Sequence, residues 1–364
     1  MQFPTPSDDI NGNAIQIVKE PNSQIDSIDL NQTSELLAVS LSNIFADTWS
    51  GKLKVFRAHE DRVYTEMESI ELIGGNSASV MFLKSLKAKA PELLLSASDS
   101  GDIYIWNCEE NGSNLSGIKY FAAHESIVSG LYPCNSRALS YYSSSYDSSV
   151  KFWSEDKLVR KFQGHNGPVT CVTCCDGNTT HVNLLLSGGF DNSAFMWDIR
   201  TSEPVACFGS EAHINALDWN SGINENLITI GDGDGQVSIY DIRIPFKALC
   251  EMEKQNGNVN SLISFYNNNN KQATYAVGSD DTTCTIISGD VKINTNDNVN
   301  SLNNDDNDGM FSNDGNLILP CTFTRVSTFK INDHTDYVRA IKWNKQKNIL
   351  LTGGWDGNLY SYKL

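Results

Sequence analysis

Residues 184–197, LLLSGGFDNSAFMW, decide the fold class of this chain. An apolar run leads into small residues, a short turn is centred on Asp191, and alternating residues then end in the aromatic Trp197. Two runs with a period of two residues around a short Gly/Asp/Ser turn are typical of a β-hairpin. The stretch therefore predicts two antiparallel strands joined by a tight turn.

Six further segments share this pattern. They are residues 36–56, 93–106, 139–153, 227–240, 275–287 and 349–362. Their closing positions follow one another at intervals of 43–50 residues, except for the last interval of 75 residues. A repeat of roughly 40–45 residues is typical of a four-stranded propeller blade. Since further strands flank the hairpins, we predict an all-β, seven-bladed β-propeller formed by residues 14–364.

The two ends of this repeat array predict how the ring closes. The final hairpin runs to Leu364, so the last blade lacks an outer strand. Residues 14–19, AIQIVK, alternate and have no blade of their own, and we expect this N-terminal strand to close the last blade. Residues 1–13 then form an N-terminal tail.

An Asn/Asp-rich segment accounts for the long interval. Within residues 290–320, the stretch 294–316 contains nine Asn and five Asp among its 23 residues. Such a composition cannot bury enough apolar surface to order itself. We predict a disordered insertion here, between blades 6 and 7.

The net charge of the chain limits the classes of molecule that we expect it to bind. Its 364 residues include 27 basic and 44 acidic side chains, which gives a formal net charge of −17. We therefore expect no nucleic acid and no anionic membrane as a partner, and we expect basic proteins instead. No apolar run approaches the roughly 18–20 residues of a membrane span, and the N-terminus does not resemble a signal peptide.

The cysteines indicate a compartment rather than a metal site. With no secretory signal, nine cysteines are expected to be reduced thiols in a cytoplasmic and nuclear protein. Cys171 and Cys174 form a CxxC pair, but they lie on a predicted strand, where residues three apart face opposite sides. We expect no zinc site and no other metal or cofactor.

At its repeat units the chain resembles the WD-repeat family. Trp197 and Asp198 close the fourth unit, and Gly164 and His165 precede it with the spacing of that family. In the family a His, a Ser or Thr, an Asp and a Trp form a buried hydrogen-bonded set in each blade. The resemblance assigns this structural role to His124, Ser143, Asp147 and Trp153; to His165, Ser187, Asp191 and Trp197; and to His334, Thr352 and Asp356.

These His/Ser/Asp groups also resemble a hydrolytic triad in composition. They recur from blade to blade, however, which a unique active site would not do. We interpret them as elements that hold the turns, their polar atoms satisfied by one another. The sequence therefore predicts no catalytic residue and no enzyme.

A narrower resemblance connects the chain to the propeller subunits of methylosomes. It lies in the first unit and in SASDSGDIYIW (96–106), AHESIVS (123–129), GHNGPVTCV (164–172), HTDYVRAIKWN (334–344) and LLTGGWDGNL (350–359). Those subunits are WD-repeat partners of the type II arginine methyltransferase that makes symmetric dimethylarginine. The resemblance implies a non-catalytic adaptor that forms a hetero-oligomer with such an enzyme. It also implies help in presenting basic, Arg-rich substrates such as histone tails and spliceosomal Sm proteins.

The resemblance also implies where a partner binds. In the WD fold the residue before each turn Asp lies at one rim of the ring and contacts partners. Large aromatic residues occupy this position four times, and we predict partner contacts at Trp49, Tyr146, Phe190 and Trp355, with Asp47 and Ser50 beside Trp49. In methylosome subunits the first-blade loop with its Trp docks on the methyltransferase, and a basic residue is expected where Asp47 stands. That contact would be repulsive if the partner surface were unchanged.

Two further functions stay open at this point. The segments WDIR (197–200) and YDIR (240–243) resemble the WDxR signature of substrate receptors in cullin ubiquitin ligases. The segment GSDDTTC (278–284) resembles a blade of the heterotrimeric G-protein β subunit, which favours a transport or signalling scaffold.

Overall fold

The computed structural model describes residues 14–43, 50–59, 63–72, 77–83, 92–108, 115–175, 180–201, 203–267, 272–293 and 321–364. Within these ranges all regular secondary structure is β-strand, arranged as seven four-stranded antiparallel sheets. None of the described residues forms a helix that is long and apolar enough to cross a bilayer. The predicted all-β, seven-bladed propeller is confirmed.

The first four blades follow one another along the chain. Blade 1 contains β2 (Gln24–Leu30), β3 (Leu36–Asn43), β4 (Ser50–Ala58) and β5 (Tyr64–Leu72). Blade 2 contains β6 (Ser77–Leu83), β7 (Glu92–Ser98), β8 (Asp102–Cys108) and β9 (Leu115–Ala122). Blade 3 contains β10 (Val128–Pro133), β11 (Ser140–Ser145), β12 (Ser149–Ser154) and β13 (Lys157–Gln163). Blade 4 contains β14 (Val169–Cys174), β15 (Leu184–Gly189), β16 (Ser193–Asp198) and β17 (Pro204–Gly209).

The last three blades complete the ring. Blade 5 contains β18 (Ile214–Trp219), β19 (Leu227–Asp232), β20 (Val237–Asp241) and β21 (Ala248–Glu251). Blade 6 contains β22 (Val259–Asn267), β23 (Gln272–Ser279), β24 (Cys284–Ile293) and β25 (Cys321–Ile331). Blade 7 contains β26 (Val338–Asn344), β27 (Ile349–Gly354) and β28 (Asn358–Lys363), with β1 (Ile15–Lys19) as its outer strand. The first strand of each blade packs against the first strands of both neighbouring blades, so the ring is closed.

Each middle strand is buried on both faces because a blade packs between two others. Leu185 belongs to the apolar cluster shared with Phe152 and Phe162 of blade 3. Leu186 points the other way, into the cluster shared with Ile214 of blade 5. Successive side chains of a strand face opposite sides, so a strand buried on both faces needs an unbroken apolar run. The LLL of residues 184–186 meets this need.

The closing strand joins the two ends of the ring. β1 pairs antiparallel with β28, with Ile15 opposite Ser361 and Lys19 opposite Asn358. Val18 is buried in a cluster that contains residues of both blade 1 and blade 7. The predicted closure of the last blade by an N-terminal strand is confirmed.

The position of the Asn/Asp-rich insertion needs a correction. β24 continues to Ile293, and β25 begins at Cys321 as the fourth strand of the same sheet, with Ile293 and Cys321 directly paired. The insertion therefore lies within blade 6, between its third and fourth strands, and not between blades 6 and 7. It also starts after residue 293, because Asp290 to Ile293 are held by strand pairing. Residues 294–320 and the predicted tail, residues 1–13, lie outside the described part of the chain.

Candidate partner-binding face

One end of the ring carries the hairpin turns between the second and third strands of the blades, and we call it the turn end. The first strand of every blade has a β-bulge close to this end, where its pairing with the second strand shifts by one residue. The bulged residues line a cavity of about 320 Å³ at the mouth of the central channel: Asp26, Ala78, Ser129, Thr170, Asn215, Asn260 and Arg339. A bulge re-aims side chains, which explains why these seven residues point into one opening.

The structure brings together the predicted structural set of blade 4. The His165 ring has Nδ1 2.9 Å from Asp191 Oδ2 and Nε2 2.8 Å from Ser187 Oγ. Trp197 Nε1 donates to the same Ser187 oxygen at 2.8 Å. Because the hydroxyl accepts from Trp197, it can donate its own proton to Nε2, which leaves Nδ1–H to donate to Asp191. Every polar atom of the set is then satisfied by another member.

Blades 3 and 7 repeat this geometry. In blade 3, His124 is 2.8 Å from Asp147 and 2.7 Å from Ser143, which accepts from Trp153 at 2.8 Å. In blade 7, His334 Nδ1 is 3.1 Å from Asp356 Oδ1, and His334 Nε2 is 2.8 Å from the hydroxyl oxygen of Thr352. Tyr362 replaces the tryptophan of blade 7, and its hydroxyl donates to Asp333 instead.

The protonation of these sets follows from burial and hydrogen bonding. Burial lowers the pKa of His124 to about 4, which outweighs the opposing charge of Asp147. Burial also disfavours the ionised form of Asp147, but hydrogen bonds from Ser149 and His124 outweigh it and lower the pKa to about 2. In blade 3 a neutral ring therefore lies beside an ionised carboxylate, a stable, buried arrangement that holds this turn to the preceding connection. The hydrogen-bond geometry recurs in three blades, so it is a feature of packing.

The residue before each turn Asp occupies one register in the blades. The backbone N–H of Tyr146, Phe190 and Trp355 donates to the residue just before the first strand of the same blade, at 2.9–3.0 Å. Gly233 of blade 5 makes the same bond at 2.8 Å, to His213. These residues therefore form a ring of equivalent positions around the channel mouth.

Tyr146 and Phe190 form an exposed aromatic pair on the turn end. Their ring centroids are 5.9 Å apart in an edge-to-face arrangement. Phe190 also stacks on His213, with centroids 4.8 Å apart and planes at 13°. A side chain at position 233 would collide with the His213 ring, so Gly233 makes this stack possible. Sequence reasoning missed His213; the glycine at the register position of blade 5 was the available signal.

Trp355 is held more firmly than the other rim aromatics. Its Nε1 donates to Asp26 Oδ1 at 3.2 Å, and the Arg339 guanidinium lies over its ring at 5.0 Å. The Tyr337 ring is 5.4 Å away. Arg339 also donates to Asn260 of blade 6 at 2.8 Å, so the cluster links blades 1, 6 and 7. Sequence reasoning found Trp355 but not its partners, because they come from the bulges of other strands.

The remaining predicted contact residues lie at the first blade. Ser50 is the first residue of β4, half-buried and paired with Asn43 of β3. Trp49 and Asp47 lie outside the residues that the structure describes, so their predicted roles stay predictions.

The CxxC pair packs into two separate clusters. Cys171 contacts the cluster that includes Ile214 of blade 5, whereas Cys174 lies in the cluster that includes Phe152 of blade 3. Neither of the two is part of a disulfide. Among the described residues, no group of three His, Cys, Asp or Glu side chains is placed to hold a metal ion.

The two WDxR-like segments form similar ion pairs at the end opposite the turn end. Arg200 Nε donates to Asp198 Oδ1 at 2.9 Å, and Arg243 Nε donates to Asp241 Oδ1 at 2.8 Å. Each guanidinium also donates through Nη2 to the second oxygen of its carboxylate. Both arginines are therefore oriented by carboxylates two residues earlier in the chain.

Comparison with known proteins agrees with this geometry. The family described as WD domain, G-beta repeat matches residues 156–198 and 323–363. Over 337 residues the chain is 27% identical to methylosome protein WDR77 of Xenopus laevis, with 90% of this chain and 86% of that protein covered. It is 27% identical to a guanine nucleotide-binding protein subunit beta of Oryza sativa subsp. japonica, over 56% of this chain and 58% of the relative. It is 22% identical to GATOR2 complex protein WDR24 of Homo sapiens, over 66% of this chain and 29% of the relative.

The fold and the comparisons both indicate WD repeats. Each matched range runs from the outer strand of one blade through the first three strands of the next, blade 4 or blade 7, and these two blades carry hydrogen-bonded sets. WD-repeat propellers act as scaffolds for other proteins, and an exposed aromatic rim fits such a role. The chain is a seven-bladed β-propeller that carries WD repeats, and along most of its length it is similar to a methylosome protein.

Proposed function

We propose that this protein is a non-catalytic adaptor that binds a type II protein arginine methyltransferase. The observation that carries the proposal is the extent of its similarity to methylosome protein WDR77, which covers 90% of this chain. The G-protein β and WDR24 relatives match 56% and 66% of it. A likeness that extends through nearly all blades includes the surfaces between repeats, where partner specificity resides.

The turn end supplies the surface for such a partner. Phe190 is 45% exposed and Tyr146 is 38% exposed, although both are large aromatic residues. Exposed aromatic side chains anchor protein interfaces when a partner desolvates them. The first-blade loop with Trp49 is the second part of the proposed contact, by its resemblance to methylosome subunits.

The proposed cargo is basic. A net charge of −17 attracts Arg-rich segments such as histone and Sm tails and raises their local concentration beside the enzyme. The protein would act where those substrates and the enzyme occur, in the cytoplasm and the nucleus.

The test is capture of a type II arginine methyltransferase by the immobilised full chain. We expect Trp49→Ala and Phe190→Ala each to weaken capture by about tenfold or more, since hot-spot aromatics contribute about 2 kcal/mol or more. Their melting temperatures should stay close to that of the wild type. Bound enzyme and its methylation of an Arg-rich protein are the two readouts.

Phe246→Ala is the matched control. Phe246 is 71% exposed, but it lies between β20 and β21, at the end opposite the turn end. Its replacement should leave capture unchanged. If the wild type does not capture the enzyme, the proposed function is wrong. If Phe190→Ala and Trp49→Ala capture it as well as the wild type, the proposed face is wrong.

A ubiquitin-ligase receptor is the second candidate function, favoured by the paired arginines of blades 4 and 5. The Arg200 side chain is 69% exposed even though it binds Asp198, so it can contact a second protein. Purification of the tagged chain with the adaptor of a cullin ligase, in place of a methyltransferase, would support this candidate.

A further inference from the structure

Blade 2 carries a ladder of three aromatic rings near its outer edge. Tyr104 lies in the middle, with its ring centroid 5.6 Å from Tyr120 and 6.0 Å from Trp106. The ring planes differ by only 25° and 15°, so the three rings are stacked along the face of the sheet. Tyr120 lies on β9, the outer strand, and is 69% exposed. The ladder therefore ends in an accessible ring.

This ladder exists because blade 2 differs from its neighbours. In blade 4 the residue at the Tyr104 position is Phe195, which packs against His165 at 4.7 Å. In blade 7 it is Tyr360, which packs against His334 at 4.9 Å. The sequence has no histidine between positions 59 and 124, so blade 2 cannot build such a set.

Without a histidine, the aromatic residues of blade 2 stack on one another. Trp106 keeps the bond that the family set provides, because its Nε1 donates to Ser96 at 2.9 Å. Tyr104 then stacks between Trp106 and Tyr120. Trp106 is only half-buried as a result, whereas Trp197 and Tyr362 at the equivalent positions of blades 4 and 7 are fully buried.

A shallow groove lies along the ladder. Gly117 is paired opposite Trp106, so no side chain of β9 covers the indole there. The groove has a volume of about 260 Å³ and is lined by the three rings together with Ile105, Gly117, Ile118 and Lys119. Its size and its aromatic walls suit a planar group at the end of a flexible side chain.

Carboxylates flank the ladder, and one lysine lies among the residues that line the groove. Burial raises the pKa of Tyr104, and the nearby carboxylates of Asp102 and Asp99 raise it further. Glu68 of blade 1 lies at the other end, where it accepts a hydrogen bond from the backbone of Leu115. The basic residue of the groove, Lys119, forms an ion pair with Asp156 of blade 3.

We propose that the groove beside Tyr104, Trp106 and Tyr120 binds arginine side chains of an extended, Arg-rich protein segment. A guanidinium is planar and weakly hydrated, so it stacks on an aromatic face and still donates hydrogen bonds to carboxylates. The groove supplies both an aromatic ladder and flanking carboxylates. The inference rests on the proposed function for the class of cargo, and it adds a site that is separate from the turn end.

The test uses the purified full chain and a fluorescent Arg/Gly-rich peptide, without a methyltransferase. Fluorescence anisotropy measures the dissociation constant. We expect Tyr120→Ala to weaken binding by about three- to fivefold, in keeping with an exposed cation–π contact. Tyr120→Phe should bind like the wild type, since it keeps the ring.

Two controls separate stacking from general charge attraction. Tyr266→Ala removes another exposed tyrosine, on β22 of blade 6, and should leave peptide binding unchanged. A peptide with Lys in place of every Arg keeps its charge but loses the planar group, and it should bind more weakly than the Arg peptide. Equal binding of both peptides would overturn the proposed stacking.

The outcomes distinguish this site from the proposed function. If the wild type binds the Arg peptide and Tyr120→Ala binds it equally well, the site is wrong although the adaptor function stands. If the wild type does not bind the peptide, the inference fails, while capture of the enzyme is measured separately. Tyr120→Ala should capture a methyltransferase like the wild type; a loss there would make Tyr120 part of the enzyme interface and overturn the inference.

Discussion

Asp26 lies where the first and last blades meet, and its environment disfavours its charge. Burial raises the pKa of its carboxyl to about 6, although hydrogen bonds from Ser42 and Trp355 and the charge of Arg339 act in the opposite direction. The nearby Asp99 raises the pKa further. The folded chain therefore holds this proton more tightly than the unfolded chain, whose pKa is near 3.8.

The substitution Asp26→Asn should increase the free energy of unfolding, relative to the wild type, by a larger amount as the pH rises. Between about pH 4 and pH 6 the folded wild type binds more protons than the unfolded chain, so Asp26 lowers the free energy of unfolding as the pH increases. The amide cannot ionise and can still accept from Trp355. Relative to the wild type, the variant should gain about 1–3 kcal/mol between about pH 4 and pH 7.

Urea unfolding at several pH values measures this difference. Asp290→Asn, which removes an exposed carboxyl of β24, is the control against which the pH dependence of the Asp26→Asn difference is compared. A constant or decreasing difference for Asp26→Asn would show that the carboxyl is not desolvated in the folded chain.

Individual residues were predictable to different extents. The hydrogen-bonded set of blade 4 could be predicted from the resemblance to the WD-repeat family, because His165, Ser187 and Trp197 belong to one blade and its entry and keep the spacing of that family. The stack of Phe190 on His213 joins two blades, and no local sequence pattern predicts it. Asp26 was missed for a similar reason, since its partners Trp355 and Arg339 are more than 300 positions away in the sequence.

At the scale of single elements, the hairpin turns follow one backbone rule. The third residue of the turn has a positive φ in six blades, at Gly101, Ser148, Asn192, Gly235, Thr282 and Gly357. In blade 7 the nearest atom to a Cβ added at Gly357 is the carbonyl oxygen of Glu20, in the connection between β1 and β2. The Gly357 carbonyl in turn accepts from Glu20 N at 2.9 Å. The turn of the last blade thus packs against the segment that follows the closing strand β1 and forms a hydrogen bond with it.

Gly357→Ala should destabilise the ring at this seam. The change places a Cβ against the Glu20 carbonyl, and it forces a non-glycine residue into the left-handed region, which by itself costs about 1–2 kcal/mol. We expect a loss of more than about 2 kcal/mol in the free energy of unfolding, measured in urea. Gly222→Ala is the matched control, because a Cβ there meets no atom within 4 Å. Equal free energies of unfolding for Gly357→Ala and Gly222→Ala would contradict the close packing of Gly357 against Glu20.

Strand order was more predictable than strand length. The closing strand could be predicted because the last blade had three strands and residues 14–19 alternated without a blade. The ends of the insertion were misplaced, although Val291 and Ile293 alternate with polar residues as in a strand, because the strand that pairs with them begins only after the insertion, at Cys321. Pairing across the insertion, and not local composition, extends these strands.

At the scale of the whole molecule, the acidic excess gives a testable property. A net charge of −17 produces a long-range attraction for basic proteins, and salt screens it over about 10 Å at 0.1 M. Binding of an Arg-rich histone tail should therefore weaken by about threefold or more between about 50 and 150 mM NaCl. A tail with its Arg residues replaced by Gln should show little binding at either concentration. A flat salt response of the native tail would exclude electrostatic steering.

The pairing of β1 with β28 has a consequence for how the chain is made. Ser361 and Ile15 are 346 positions apart, yet they meet in one sheet. At about 5–20 residues per second, a ribosome delivers β28 roughly 20–70 s after β1. Throughout that time β1 has no partner strand, and the blades already synthesised form an open arc with two unprotected ends. Until β28 is available, the unpaired edges at the two ends of the arc are sites where aggregation can begin.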